Sequence, residues 1–278
     1  MSIKVHKRRL PPGWYPQDAE EIRRFLAPLK PLPENPRACA CIVPHAGWRF
    51  SGLMAAEAVA SLAPCDVIVL IGGHLHKSDD INYLPFERYE TPCGTVETDN
   101  DLMDTIIRLF DPAENSGSDN TTEVHLPLIA ELHRGTPVCV LRAGPSSAAG
   151  LIGPTLLRYE AESGRRVGVV GSTDLTHYGP DYGFTFHGSA AEAIDWVRTF
   201  NDRRFIDAAL KLDWRGMNEL GMEQRAACSP GAAAGAASFA AARGCREGVL
   251  QHYTTSYDLF PGDSIVGYAS ILYAPPEE

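Results

Sequence analysis

The chain has 278 residues, 44% of them hydrophobic and 22% charged, with a formal net charge of −10. A chain of this size buries a large core without disulfide or metal staples. Its acidic balance argues against a nucleic-acid partner, since the longest basic run, Lys7-Arg8-Arg9, reads as a solvated N-terminus. No apolar run approaches the roughly 20 residues of a membrane helix and no signal-peptide core is evident, so a cytoplasmic protein without a membrane partner is expected.

Two apolar runs, residues 38–43 and 66–71, read as buried strands joined through a helical stretch at residues 52–63, a βαβ unit. The first leads into Pro44-His45-Ala46-Gly47-Trp48 and the second into Gly72-Gly73-His74-Leu75-His76. Residues 81–98 read as a hairpin-like excursion with turn chemistry at Thr91-Pro92-Cys93-Gly94. A helix capped by Asp99 or Asn100 carries Leu102, Ile106, Leu109 and Phe110 at helical spacing. A polar loop at 112–121 and a short helix at 123–133 follow, with Pro127 in the first turn of that helix. Residues 137–141 form a third strand, 146–163 a helix, and 166–171 a fourth strand that ends in Ser172-Thr173-Asp174-Leu175-Thr176-His177-Tyr178. Residues 189–243 are mostly helical with a break at 228–231, and β-rich stretches at 249–257 and 264–273 close the chain. With no low-complexity linker and no repeat, the expectation is one α/β domain over residues 1–278, its central, largely parallel or mixed sheet flanked by helices.

Histidines therefore stand past three strand ends, at His45, at His74 or His76, and at His177. One such histidine is as readily a loop cap as a functional group. Three at the same edge of an α/β sheet point to a metal or an acid/base centre, because adjacent loops diverge there and leave a crevice. The seven cysteines are scattered, without a Cys-x-x-Cys pair, which removes zinc-ribbon and thioredoxin-like motifs. Most sit in or beside apolar runs, as small hydrophobes do. Cys228 instead precedes a helix, where the dipole and free N–H groups favour a thiolate suited to ligation or attack. Asp174 can orient an imidazole or cap a turn, and Glu123 and His125 can support a ligand or start a solvated helix.

These segments resemble the Memo family, component B of the AmmeMemoRadiSam system, over nearly the whole chain. Pro12-Gly13-Trp14-Tyr15-Pro16 is similar to its N-terminal signature, and Pro44-His45-Ala46-Gly47-Trp48-Arg49-Phe50-Ser51-Gly52 to its Pro-His-Ala-Gly-Tyr-x-Tyr-Ser-Gly element. Ser172-Thr173-Asp174-Leu175-Thr176-His177-Tyr178 resembles Ser-Ser-Asp-Leu-Ser-His-Tyr, Glu123-Val124-His125-Leu126-Pro127 resembles Glu-x-[His/Gln]-Leu-Pro, and Val266-Gly267-Tyr268-Ala269 fits the closing strand. Two departures stand out. The second ligand segment, Gly72-Gly73-His74-Leu75-His76, differs from Gly-Pro-x-His, so His74 is preferred on spacing with His76 as the alternative. Asn120 stands where family members often carry a histidine.

The resemblance implies a fold related to class III extradiol dioxygenases and a metal held by His45, His74 and Cys228, with His177 as the acid/base counterpart and Asp174 and Glu123 as its catalytic companions. Trp48, Ser172, His125 and Tyr178 are the implied substrate-pocket residues. A thiolate in place of the carboxylate softens the donor set, so Fe(II) or copper is expected, with zinc as a further option. The expected function is a metal-dependent oxidoreductase or dioxygenase acting on a small substrate, aromatic ones included. The alternatives are a metal-sequestering partner protein, associated with radical-SAM-system proteins, and a metal-assisted hydrolase that uses Glu123 as base.

Overall fold

Four apolar segments, Ala40–Val43, Val167–Ser172, Val67–Gly72 and Val138–Ala143, lie side by side in that spatial order as parallel strands. All their residues are buried, as expected of strands covered on both faces. The computed structural model describes residues 3–77, 80–117 and 119–276. Alternate side chains of one strand feed opposite layers: Ala40, Ile42, Val69 and Ile71 enter one apolar cluster, and Cys41, Val43, Ile68 and Leu70 the other.

Antiparallel additions make the sheet mixed. Ile265–Tyr273 pairs with Ala40–Val43 and carries Val249–Thr255 and His177–Tyr178 as neighbours. At the other edge Ile81–Tyr83 runs antiparallel to Val138–Ala143, with Ala113–Glu114 beyond it. The expected hairpin covers Arg88–Thr91 and Gly94–Glu97 alone, because Ile81–Tyr83 joins the large sheet. Val5–His6 pairs with the hairpin and the Arg9 N–H donates to Glu123, so the backbone of the basic run is held while Lys7, Arg8 and Arg9 stay exposed to solvent.

The helix Trp48–Ala60 starts four residues earlier than the alanine pattern suggested. A further helix lies at Ala19–Leu26, capped by Asp18 and burying Ile22 and Leu26. The segment expected as one helix over 123–133 is two, Asn120–Glu123 and Leu126–Leu132. Pro127 has no N–H to give the Glu123 carbonyl, so the first helix stops there. Ser147–Ser163 and Pro230–Ala242 pack against each other, and the second also covers Val167–Ser172. Small residues permit that approach: a Cβ on Gly171 would lie 2.7 Å from the Ala232 carbonyl oxygen and 2.8 Å from the Ala236 Cβ. The alanine-rich run is thus a helix buried from Pro230 to Ala240 and fitted closely onto the sheet. Among the described residues, no helix is long and apolar enough to cross a membrane.

Candidate metal centre

The parallel strand order brings the chemistry together. His45 lies two residues beyond Ala40–Val43, and His74 two residues beyond Val67–Gly72. Val167–Ser172 runs between those strands, so Ser172 emerges between the two histidine loops. Gly73 has φ +107° and sits against the Arg142 side chain, a turn that a side-chain-bearing residue would strain. Cys228 arrives from the opposite direction, just before the Pro230–Ala242 helix, with its N–H donating to the Asp174 carbonyl at 3.1 Å.

The ligand atoms of His45, His74 and Cys228 all lie within 4.8 Å of one another. His45 Nε2 is 3.2 Å from His74 Nε2 and 3.2 Å from Cys228 Sγ. Two donors each about 2.1 Å from one ion, at a tetrahedral angle, stand about 3.4 Å apart, so this spacing fits a shared first-row metal. The His45 ring is oriented from behind: Nδ1 lies 2.9 Å from Ser172 Oγ, which lies 2.9 Å from His125 Nε2. With Nδ1–H donating to Ser172 and Ser172 O–H donating to His125, the Nε2 lone pair of His45 faces His74 and Cys228. Asp174 Oδ1 accepts the His45 backbone N–H at 2.7 Å, and Asn120 donates to the His45 carbonyl at 3.2 Å.

Asp174, His177 and Cys228 form a second set of donors at similar spacing. Asp174 Oδ2 is 3.8 Å from His45 Nε2 and 4.0 Å from His177 Nε2. His177 Nδ1 donates to the Leu175 carbonyl at 3.1 Å, leaving Nε2 as its acceptor.

Burial sets the protonation states. It holds His45 well below the ordinary histidine value, reinforced by His74 and His177, and lowers His125 to about 3. His177 is lowered by burial against an opposing pull from Asp174, and burial raises Asp174 itself. Neutral imidazoles are the ligating form. Burial also pushes the Cys228 thiol up to about 12, with the Asp174 charge acting the same way. The thiolate anticipated from the helix N-terminus is therefore opposed by desolvation and by the neighbouring Asp174 charge.

Two cavities reach the centre. One of about 550 Å³ has Asp174, His177, Trp14, Phe50, Tyr182 and Tyr268 among its lining residues. Another, of about 410 Å³, opens on His74 and Cys228. His177 and Tyr182 line both, their rings meeting edge to face at 4.7 Å.

The other residues expected at the site have different places. Glu123 is buried, and its Oε1 accepts from the N–H groups of Arg9 and Leu10 and from the Tyr15 hydroxyl at 2.8 to 2.9 Å. It anchors the N-terminal segment that presents Trp14 to the larger cavity and does not join the ligand cluster. Trp48 is buried against Phe25, its indole N–H donating to the Val124 carbonyl at 3.0 Å. Tyr178 is fully buried in a satellite cluster, its hydroxyl donating to the Gly188 carbonyl at 2.8 Å. Neither Trp48 nor Tyr178 is among the lining residues of the two cavities, and Ser172 and His125 lie behind His45 rather than in them. His74, not His76, belongs to the donor group. Tyr182 and Arg225 were missed. The available signals were the Gly179-Pro180 turn ahead of Tyr182 and the position of Arg225 three residues before Cys228.

The family model described as Memo-like protein matches residues 9–272. A MEMO1 family protein of Pyrococcus furiosus is 31% identical, covering 93% of this chain and 95% of its own. One of Methanopyrus kandleri is 30% identical, covering 94% and 95%. Among solved structures, an uncharacterized protein from Escherichia coli K12 is similar in fold, with a TM-score of 0.50 and 11% identity over 84% of this chain and 99% of that one.

Proposed function

The chain belongs to the Memo family, and from that premise we propose that it is a metal-dependent oxidoreductase acting on a small molecule, with chemistry akin to extradiol ring cleavage. The observation that carries the reading is the convergence of His45, His74 and Cys228 beside the neutral His177, whose ring lines both cavities. In this reading the three converging residues hold the metal, which is Fe(II) or copper, with zinc the redox-silent substitute. When bound, it supplies Lewis acidity and one-electron redox chemistry.

The protein's own groups do the rest. Ser172 and His125 fix the His45 tautomer, and the Asp174 carboxylate ties the His45 loop by its N–H. His177 Nε2 takes a proton from a hydroxyl on the substrate, and Asp174 Oδ2, 4.0 Å away, stabilises the imidazolium that forms. Trp14, Phe50 and Tyr268 form apolar walls that keep water from the reacting group.

The test is metal content and O₂ consumption with catechols, measured on anaerobically purified wild type and His177→Ala. The variant should keep near wild-type metal and lose about 10²- to 10⁴-fold in turnover. Loss of metal in the variant would make His177 a ligand instead. A wild type that holds metal but consumes no O₂ with any metal or catechol would refute the oxygenase reading and leave a metal carrier.

A further inference from the structure

We infer that Arg225 is the anion-recognition group of the cavity opening on His74 and Cys228, and that this cavity takes a small planar carboxylate. The inference deepens the metal-centre reading above and rests on it for where the rest of the ligand lies.

The two cavities differ in charge. The larger is lined by Arg49 together with Asp174 and Asp181, so its wall is of mixed sign. In the smaller, of about 410 Å³, Arg225 is on the wall, and among the described residues it is the permanently charged one and no carboxylate lines the cavity. That volume lies in the range of small-molecule sites.

Arg225 also differs from the arginines that carboxylates hold. Arg142, Arg165 and Arg243 each meet a carboxylate, that of Asp119, Asp99 and Glu160 respectively. Arg225 Nη1 and Nη2 instead donate to the neutral carbonyls of Gly183 and Tyr182, at 3.2 and 2.8 Å. Its guanidinium lies 4.7 Å from the centre of the Phe184 ring. These contacts fix its position without cancelling its charge. A guanidinium carries five N–H donors, so donors remain for a ligand, in the forked geometry that matches a carboxylate.

The backbone points the same way. Arg225 closes the Trp214–Gln224 helix at φ +52°, a left-handed position that glycine fills without strain and other residues fill at a cost of about 1 kcal/mol. A strained arginine three residues before a ligand cysteine places a fixed positive charge where the sequence would otherwise favour glycine. Tyr182 and His177 add flat ring surfaces to the same cavity, which suits a planar ligand.

The experiment compares benzoate with benzamide, of nearly equal shape and different charge, by calorimetric titration into wild type, Arg225→Gln and Arg49→Gln. Arg225 is solvent-exposed, so wild type should prefer benzoate by about 2- to 5-fold, the effect of a screened ion pair. Arg225→Gln should abolish the preference, with benzamide affinity and metal content unchanged, and Arg49→Gln should retain it. Equal binding of the two probes by wild type would overturn the inference, as would a preference that survives in Arg225→Gln or disappears in Arg49→Gln. If Arg225→Gln does not fold, Arg225→Lys reads the same question, because it keeps the charge and loses the fork: benzoate should weaken, and unchanged affinity overturns the proposal. Titrating metal-free and Zn-loaded protein separates the two readings. A chain that takes up no metal refutes the metal centre, whereas the Arg225-dependent preference stands or falls in the metal-free protein.

Discussion

Ser172→Ala isolates the support behind the candidate ligand His45, because it removes one oxygen and leaves every ligand in place. Ser172 Oγ is 2.9 Å from His45 Nδ1 and 2.9 Å from His125 Nε2. Ser172 is fully buried and both histidines are 1% exposed, so water cannot replace the lost hydroxyl. Each buried nitrogen left without a partner costs about 1–3 kcal/mol, which gives a loss of about 2–6 kcal/mol for the pair. At about 2 to 4 °C per kcal/mol for domains approaching this size, Tm should fall by roughly 4 to 24 °C. The functional effect runs through the tautomer. Without an acceptor at Nδ1, the His45 proton is free to move to Nε2, the atom that faces His74 and Cys228. Loss of such an orienting partner typically weakens metal binding about 10- to 100-fold. The assay is a competition titration with a chromophoric chelator, paired with thermal denaturation of metal-free protein. A variant with wild-type metal affinity would refute the orienting role even if its Tm falls, and an unchanged Tm would refute the hydrogen-bonded chain itself.

Three further outcomes are expected. Burial holds the Cys228 thiol at about 12, and Cys65 and Cys93 at about 11, so iodoacetamide should not label Cys228 ahead of those two in metal-free protein at neutral pH. Preferential labelling of Cys228 would show that the helix N-terminus outweighs burial. Because His125 is lowered to about 3 from 6.5, the unfolded chain binds more protons between those values; the stability His125 confers is present above pH 6.5 and is lost as pH falls. His125→Asn should therefore flatten the acid decline in Tm of metal-free protein below pH 6.5, and an unchanged slope would contradict the neutral buried imidazole. Gly171→Ala sets a methyl against the Ala232 carbonyl and the Ala236 Cβ, which should cost about 1–3 kcal/mol in denaturant unfolding and weaken metal binding by shifting the helix that follows Cys228. Wild-type stability in that variant would mean the helix does not pack as closely as described.

The strand positions, the parallel core and the histidines at its strand ends were legible in the sequence, because a strand buried on both faces must be a continuous apolar run and Gly or Pro marks its end. The break before the Pro230–Ala242 helix, with Cys228 ahead of it, was legible for the same kind of local reason. What the sequence could not decide is which side chains of a motif face the centre. Glu123 and His125 are two residues apart, yet one anchors the N-terminal segment and the other closes the chain behind His45, because Pro127 divides their helix and turns them to different partners. Tyr178 follows His177 directly but faces the opposite side of a strand, into the satellite core. The protonation of Cys228 depended on the same kind of information: the helix N-terminus is local and visible, whereas the desolvation that raises the thiol comes from residues packed around it from distant parts of the chain. Arg225 became a candidate only when the fold showed its charge to be unpaired, among the described residues, beside a cavity, since ion pairing is a property of tertiary neighbours and not of sequence spacing.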